Sequence, residues 1–161
     1  MPNWCDNQAT ITHEDKSKID AIEATLKSEE KELFKTIYPR PADQEENWYD
    51  WNISNWGTKW EASIIDWERC DDNSIFVCFE TAWSPPVNLY ESMNIAGYSV
   101  LAVYNEPGMG FAGQWIDGDD DYYDYDITDL ESIESLPSDV VEFADLISQH
   151  EYWKENETEV D

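Results

Sequence analysis

The stretch that decides the fold is residues 59–82, which read KWEASIIDWERCDDNSIFVCFETA. Two runs within it, 59–67 and 74–82, are rich in β-branched and aromatic residues, which favour strands. The residues between them end in Asp72-Asn73, a pair of residue types that is common in turns. The stretch therefore predicts a β-hairpin.

The segment before the hairpin predicts one strand and one helix. Residues 7–12 favour a short strand, and Thr12 with Asp15 approximates a capping box at the start of a helix. That helix has apolar residues at helical spacing on one face: Ile19, Ile22 and Leu26.

The segment after the hairpin predicts a second helix and a fourth strand. Pro85-Pro86 can start the helix, Leu89 and Met93 give it an apolar stripe, and Gly97 ends it. Residues 98–104 then alternate as a strand. The order βαββαβ is the split βαβ, or ferredoxin-like, arrangement, so we expect an α+β fold with an antiparallel sheet.

Residues 117–161 form an acidic extension to the core in residues 1–116, and we expect the two to pack as one domain. Residues 111–116 predict an edge strand of the core, and residues 122–127 predict another after an acidic loop. The chain after Pro137 predicts a final helix that is apolar on one face and acidic on the other. The apolar face has Val140, Phe143, Ala144 and Ile147, and the acidic face has Asp139, Glu142 and Asp145.

The charge is strongly negative and unevenly distributed. The chain has 37 acidic and 9 basic residues, for a net charge of −28. Residues 1–116 have a net charge of −12, and residues 117–161, whose only base is Lys154, have −16. Such a surface excludes broad contact with nucleic-acid backbones or anionic lipid, both of which need basic patches. With no long apolar run and no signal-peptide pattern, we expect a cytoplasmic protein.

The concentration of carboxylates predicts a surface that imitates nucleic-acid phosphates for a basic partner protein. On the final helix, acids three residues apart are spaced by about 4.5 Å along the axis, and each DNA strand has a charge about every 3.4 Å. The alternative is that acidity serves only solubility or adaptation to a salty host. The predicted partner-binding residues are Asp117, Asp119, Asp120, Asp121, Asp124, Asp126, Asp139, Glu142 and Asp145.

A tryptophan-rich segment predicts an alternative site. It is a groove that would stack a small planar ligand or a peptide through aromatic rings interleaved with amides. The competing interpretation is that these rings pack between helix and sheet, as large aromatics usually do. The candidate residues are Trp51, Asn55, Trp56, Lys59 and Trp83.

The sequence offers no convincing catalytic constellation, so we expect no enzyme, no cofactor and no metal. Its three cysteines contain no C-x-x-C pair, which argues against a zinc site. The run that starts at Asp117 fails the calcium-loop template, because Tyr122 stands where glycine is needed and Thr128 where glutamate is needed. A Gly-x-Gly-x-x-Gly match at Gly108 precedes a strand-like run rather than the required helix.

Four segments together resemble the YubB ferredoxin-like family of phage and conjugative-plasmid proteins, over about residues 1–116. The resemblance implies a ferredoxin-like fold and a mobile-element origin, and it implies no particular activity. The segments are Met1-Pro2-Asn3-Trp4-Cys5, Trp48-Tyr49-Asp50-Trp51 with Asn55-Trp56-Gly57-Thr58-Lys59-Trp60, Thr81-Ala82-Trp83-Ser84-Pro85-Pro86, and Tyr104-Asn105-Glu106-Pro107-Gly108.

Charge and resemblance together predict a phage or mobile-element accessory protein. We expect it to inhibit a basic, nucleic-acid-handling host protein, such as a defence nuclease, by DNA mimicry. It would contact neither nucleic acid nor membrane directly.

Overall fold

The computed structural model describes residues 2–159. In chain order, the elements are β1 (Trp4–Thr12), α1 (Lys16–Lys27), α2 (Leu33–Ile37), a 3-10 turn (Ala42–Gln44), α3 (Trp48–Asn55), β2 (Ser63–Asp71), β3 (Ser74–Ala82), α4 (Val87–Ile95), β4 (Ser99–Glu106), β5 (Phe111–Ile116), β6 (Asp119–Asp124), α5 (Leu130–Glu134), α6 (Ser138–Ala144) and α7 (Leu146–Glu159).

The strands form one sheet in the order β2-β3-β1-β4-β5-β6, and every neighbouring pair is antiparallel. The chain passes through α1 between β1 and β2 and through α4 between β3 and β4. Each of these strand pairs is separated in the sheet by one inserted strand, which is the split βαβ arrangement. The predicted α+β, ferredoxin-like fold with an antiparallel sheet is therefore confirmed.

The main core lies between one face of the sheet, here called the helix face, and the helices α1 to α4. Alternate residues of β1 point into it, so Ala9 lies between Val77 and Ala102 on the neighbouring strands. The predicted apolar residues of α1 and α4 are buried against this face: Ile19, Ile22, Leu26, Leu89 and Met93. Tyr90 is buried beside them. The N-cap of α1 is Asp15 rather than Thr12, because its carboxylate accepts the Ser17 amide at 3.0 Å.

The opposite side of the sheet, here called the second face, is only partly covered. A smaller apolar cluster of Ile133, Leu136 and Leu146 joins the C-terminal helices to Tyr123 of β6. Phe143 of α6 is half-buried and lies near β1 and β4. The rest of the second face is open to solvent, which leaves apolar strand residues exposed beside α6.

The acidic extension contains a helix that was not predicted, α5, and it differs from prediction in two further features. The loop expected before a strand at residues 122–127 is itself a strand, β6, paired with β5. The single predicted C-terminal helix is divided into α6 and α7 at Asp145, whose backbone is left-handed with φ 53°. Asp139, Glu142 and Asp145 therefore do not form one continuous helical row.

Between residues 2 and 159, no helix combines the length and the apolar character that crossing a bilayer would require.

Candidate functional site

Basic residues are confined almost entirely to one part of the chain. Beyond Arg69, the sequence contains a single base, Lys154. The ion pairs of the five bases Lys16, Lys27, Lys35, Arg40 and Arg69 lie between residues 16 and 69. They stabilise α1, α2 and the segment around the 3-10 turn, and they join Arg69 to α1. Strands β3 to β6 and the helices that follow therefore have many carboxylates and almost no neutralising partner.

The second face contains a groove of about 630 Å³. Its floor comes from four strands, and α6 forms one wall with Asp139, Glu142 and Phe143. Leu101 and Ile116 on the floor keep 48% and 45% of their surface exposed. A smaller hollow of about 460 Å³ adjoins it, and Phe143 lines both.

Two of the nine predicted carboxylates line this groove, and two more stand beside its floor on β6. The four are called here the groove carboxylates: Asp139 and Glu142, which line it, and Asp119 and Asp121, which stand beside it. The two on β6 stand directly opposite Ile116 and Gln114 of the floor, and opposed residues on one face lie about 5 Å apart. Within residues 2–159, the groove carboxylates make no ion pair and accept no hydrogen bond, and no lysine or arginine lines either hollow. This leaves them available to a ligand.

Four other predicted carboxylates are occupied within the protein. Asp117 accepts hydrogen bonds from the Val100 amide at 2.8 Å and from the Ser99 hydroxyl. Asp126 accepts from the Thr128 amide and hydroxyl, and these bonds lower the pKa of its carboxyl. The other two accept from tyrosines: Asp120 from Tyr104 at 2.6 Å and Asp124 from Tyr122 at 2.9 Å.

Those two are also directed away from the groove. In a strand, successive side chains alternate between faces, so Asp120 and Asp124 project from the helix face of β6. Burial, and then the bond to Asp120, raise the pKa of Tyr104. The ninth predicted residue, Asp145, is exposed at the turn between α6 and α7. The structure thus divides the predicted single surface into the four groove carboxylates, four structural carboxylates that accept hydrogen bonds within the protein, and the exposed Asp145.

The apolar floor of the groove was not identified from the sequence. Its signal is present in β4, where residues Val100 and Ala102 face the core, while Leu101 and Val103 between them are also apolar. A strand that covers a core on one side only should alternate between apolar and polar residues. Two apolar sets in one strand indicate that both faces are available for packing.

The predicted tryptophan groove does not form as one site, because three of its residues have packing roles. Trp56 is buried and donates from Nε1 to the Tyr38 carbonyl at 2.9 Å. Trp51 packs edge-on against Trp56 with ring centroids 5.5 Å apart. Asn55 donates from its amide to the Trp51 carbonyl, which places it within α3's own structure.

The remaining two residues belong to an exposed aromatic cluster. The Lys59 ammonium lies 4.6 Å from the ring centroid of Trp60, 4.9 Å from that of Trp83 and 5.9 Å from that of Tyr49. Trp4 is adjacent to Trp60, with centroids 6.1 Å apart. Ring faces attract a cation, so the cluster already surrounds one positive charge.

Two glutamates, the partly buried Glu61 and the buried Glu106, accept hydrogen bonds from backbone amides. Glu61 accepts the amides of Phe34 and Lys35 at the start of α2, and burial raises the pKa of its carboxyl. Glu106 accepts the amides of Gly108 and Met109 in the turn after β4. Over residues 2–159, no three histidine, cysteine or acidic side chains are grouped so that they could hold a metal ion.

The strand order and the two crossover helices define an α+β protein with a ferredoxin-like core. No protein-family model matches the chain, and no curated protein matches it. One similar solved structure is the crystal structure of a protein api92 from Yersinia pseudotuberculosis, with the family model DUF1281. The similarity has a TM-score of 0.42 and 23% identity, and it covers 58% of this chain and 39% of that one.

Proposed function

We propose that this protein is an accessory binding protein that occupies the nucleic-acid-binding surface of a basic partner protein. The observation that carries the proposal is the set of groove carboxylates, which have no neutralising partner in residues 2–159 and line the groove or stand beside its floor. Proteins that hold nucleic-acid phosphates do so with clustered lysine and arginine. Such a cluster is complementary in charge to this groove.

The distribution of charge also supports fast association with such a partner. A surface with one sign of charge steers an oppositely charged protein toward it and raises the association rate, and salt weakens this effect. The ion pairs of Lys16, Lys27, Lys35 and Arg40 involve residues of α1, α2 and the segment around the 3-10 turn, and none of these residues lines the groove.

The sequence resemblance to phage and plasmid proteins supports a mobile-element setting for the proposal. A mobile element is protected when an accessory protein blocks host nucleases, and the DNA-binding surface of a nuclease is basic. We therefore propose a host defence nuclease, or another nucleic-acid-handling protein, as the partner, and inhibition by exclusion of nucleic acid as the outcome.

The test compares two fourfold variants with the same change in charge. The first neutralises the groove carboxylates: Asp119→Asn, Asp121→Asn, Asp139→Asn and Glu142→Gln. The control neutralises four exposed acids that make no ion pair among the described residues: Glu14→Gln, Glu29→Gln, Glu30→Gln and Asp43→Asn. Immobilised wild-type protein and both variants are exposed to host lysate at low salt, and duplex DNA is then added as competitor.

The expected result is that the wild type and the control capture the same nucleic-acid-binding protein, that DNA releases it, and that the groove variant does not capture it. Equal capture by both variants would refute a role for the groove. Capture of scattered basic proteins that DNA does not displace would show that the acidity acts in solvation.

The exposed aromatic cluster supports a second candidate function, binding of a small planar ligand. Trp60 and Trp83 each expose more than a third of their surface beside the Lys59 ammonium. A planar anion such as a nucleoside monophosphate could stack on a ring and pair with the lysine. Titration should quench tryptophan fluorescence in the wild type and not in Trp60→Ala, and absence of quenching in the wild type would eliminate this candidate.

A further inference from the structure

We infer that the groove binds an amphipathic, cationic α-helix of the partner. The apolar side of that helix would pack on the strands, and its lysine and arginine side chains would meet the groove carboxylates. The inference rests on the proposed function and names the part of the partner that the groove recognises.

The first observation is a row of residues that crosses the whole sheet on the second face. Strand register places one residue of each strand side by side: Glu68, Phe76, Thr10, Leu101, Ile116 and Asp119. The middle of this row is apolar apart from one threonine, and a carboxylate stands at each end. An amphipathic helix with an apolar stripe between basic residues matches this row. Its stripe would contact the uncharged middle, and its basic residues would face the carboxylates at the two ends.

The neighbouring row repeats this pattern. Two residues along each strand, the register aligns Asp66, Cys78, Gln8, Val103, Gln114 and Asp121. Its middle is uncharged, and its two ends are again aspartates. The acidic flanks therefore run along both edges of the open face instead of forming one isolated cluster.

The size of the floor favours a helix over one added strand. The four strands from β3 to β5 span about 14 Å, as three gaps of about 4.8 Å, and α6 lies against β4 and β5 at one side of the groove. Beside α6, Leu101 and Ile116 still keep nearly half of their surface exposed. A helix with side chains is about 10–12 Å wide, whereas one added strand is only about 4.8 Å wide and would cover less of this floor.

The wall formed by α6 supplies the third observation. Asp139 and Glu142 both line the groove, and Phe143 closes one side of it with an aromatic ring. A helix lying on the floor would pack against α6 much as neighbouring helices pack against each other, at about 8–10 Å between axes. It would thereby bring its basic side chains within reach of these two carboxylates.

The experiment uses two synthetic peptides of about 15 residues, both composed only of leucine and lysine. In the first, the leucines recur at helical spacing along one face. In the second, the same residues are scrambled so that no face is apolar. Calorimetry at near-physiological salt measures the affinity of the full chain for each peptide, and circular dichroism follows the peptide's helicity.

We expect the amphipathic peptide to bind about tenfold or more tightly than the scrambled one, and to become helical on binding. Leu101→Ser with Ile116→Ser should reduce its affinity to that of the scrambled peptide. The matched control is Ile95→Ser with Met109→Ser, which changes two residues that are 86% and 73% exposed and lie outside the groove. This control should bind both peptides as the wild type does.

Near-UV circular dichroism of the tryptophans establishes that each variant is folded, and Ile116→Ser alone serves if the double variant is not. Equal affinity for the two peptides, or full affinity in a folded groove variant, would overturn the inference. Failure to bind either peptide would overturn it as well. The proposed function is judged separately, by DNA-sensitive capture from lysate, so the two ideas can fail independently.

Discussion

Replacing Asp117 with alanine should destabilise the fold, although the sequence predicts this residue as a partner-binding carboxylate. Its carboxylate holds the start of β4 by accepting the Val100 amide at 2.8 Å, and it also binds Ser99 and Asn94. A hydrogen bond to a charged group contributes about 1.5–3 kcal/mol when its loss leaves a buried partner unsatisfied. Water can replace the carboxylate at the Ser99 and Asn94 side chains, which are partly exposed, so they contribute less than the amide.

Alanine also tolerates the left-handed φ of 43° less well than aspartate. Together with the lost hydrogen bonds, this should lower the free energy of unfolding of Asp117→Ala by about 2–4 kcal/mol. At about 2–4 °C per kcal/mol for a chain of this length, the melting temperature should fall by about 5–15 °C. Thermal unfolding followed by circular dichroism measures this shift.

Two matched variants sharpen the same prediction. Asp117→Asn keeps one acceptor oxygen and a residue type that accepts left-handed backbone, so it should lose less than about 1 kcal/mol. Asp139→Ala removes a carboxylate with no hydrogen-bond partner in residues 2–159, and it should change stability by less than about 0.5 kcal/mol. Equal melting temperatures for the two alanine variants would refute the division into structural and groove carboxylates.

Three further predictions concern residues outside the groove. Trp56→Phe should lower the free energy of unfolding, measured with urea, by about 2 kcal/mol, because it removes a buried hydrogen bond and leaves a cavity. Trp83→Phe at the surface should lower it by less than about 0.5 kcal/mol. Similar losses for the two variants would contradict the assigned packing roles. Burial raises the pKa of Glu61, so its contribution to stability is present below its unfolded-state pKa and is lost as pH rises through its higher folded-state pKa. Wild-type melting temperature should therefore fall relative to Glu61→Gln across that interval, and parallel pH profiles would show that Glu61 titrates normally. A thiol reagent at mildly alkaline pH should modify exposed Cys70 first, and buried Cys5, whose pKa is raised by burial, only after unfolding; rapid reaction of every thiol in the native state would be inconsistent with this burial.

The ferredoxin-like core was predictable because its elements have strong local patterns. In β3, every second residue is buried, and this alternation is readable in the sequence as Ile75, Val77 and Phe79. Helix α3 has no such pattern, because the segment from Trp48 to Asn55 mixes aromatic and polar residues around the whole helix. Its position is set by tertiary packing, including that of Trp51 on Trp56, and local sequence does not report such packing.

Strand β6 was misplaced because aspartate is depleted in strands, so its composition indicates a loop. The available signal was the pair Asp117-Gly118, a residue combination that favours two-residue hairpin turns. Both residues have positive φ, at 43° and 107°, and the flanking residues Ile116 and Asp119 pair directly. This turn fixes the register of the whole strand.

The site was predictable only at the level of charge. Counting acids located the negative surface, but assigning each acid to a face requires the register of β6, which the sequence prediction lacked. A strand that started at residue 122 would leave Asp119 and Asp121 in a loop. The actual start of β6 places both beside the groove and turns Asp120 toward Tyr104.

The run of aspartates in β6 also gives the sheet a negatively charged edge strand. An edge strand presents unpaired backbone amides and carbonyls that can pair with a strand of another molecule, and charged side chains oppose this pairing. Two β6 edges meeting in an antiparallel pair would bring aspartates of both copies together, and like charges in such positions are destabilising. Near the isoelectric point of about 4.1, where this repulsion weakens, β6 becomes the edge through which copies of the protein can join into aggregates.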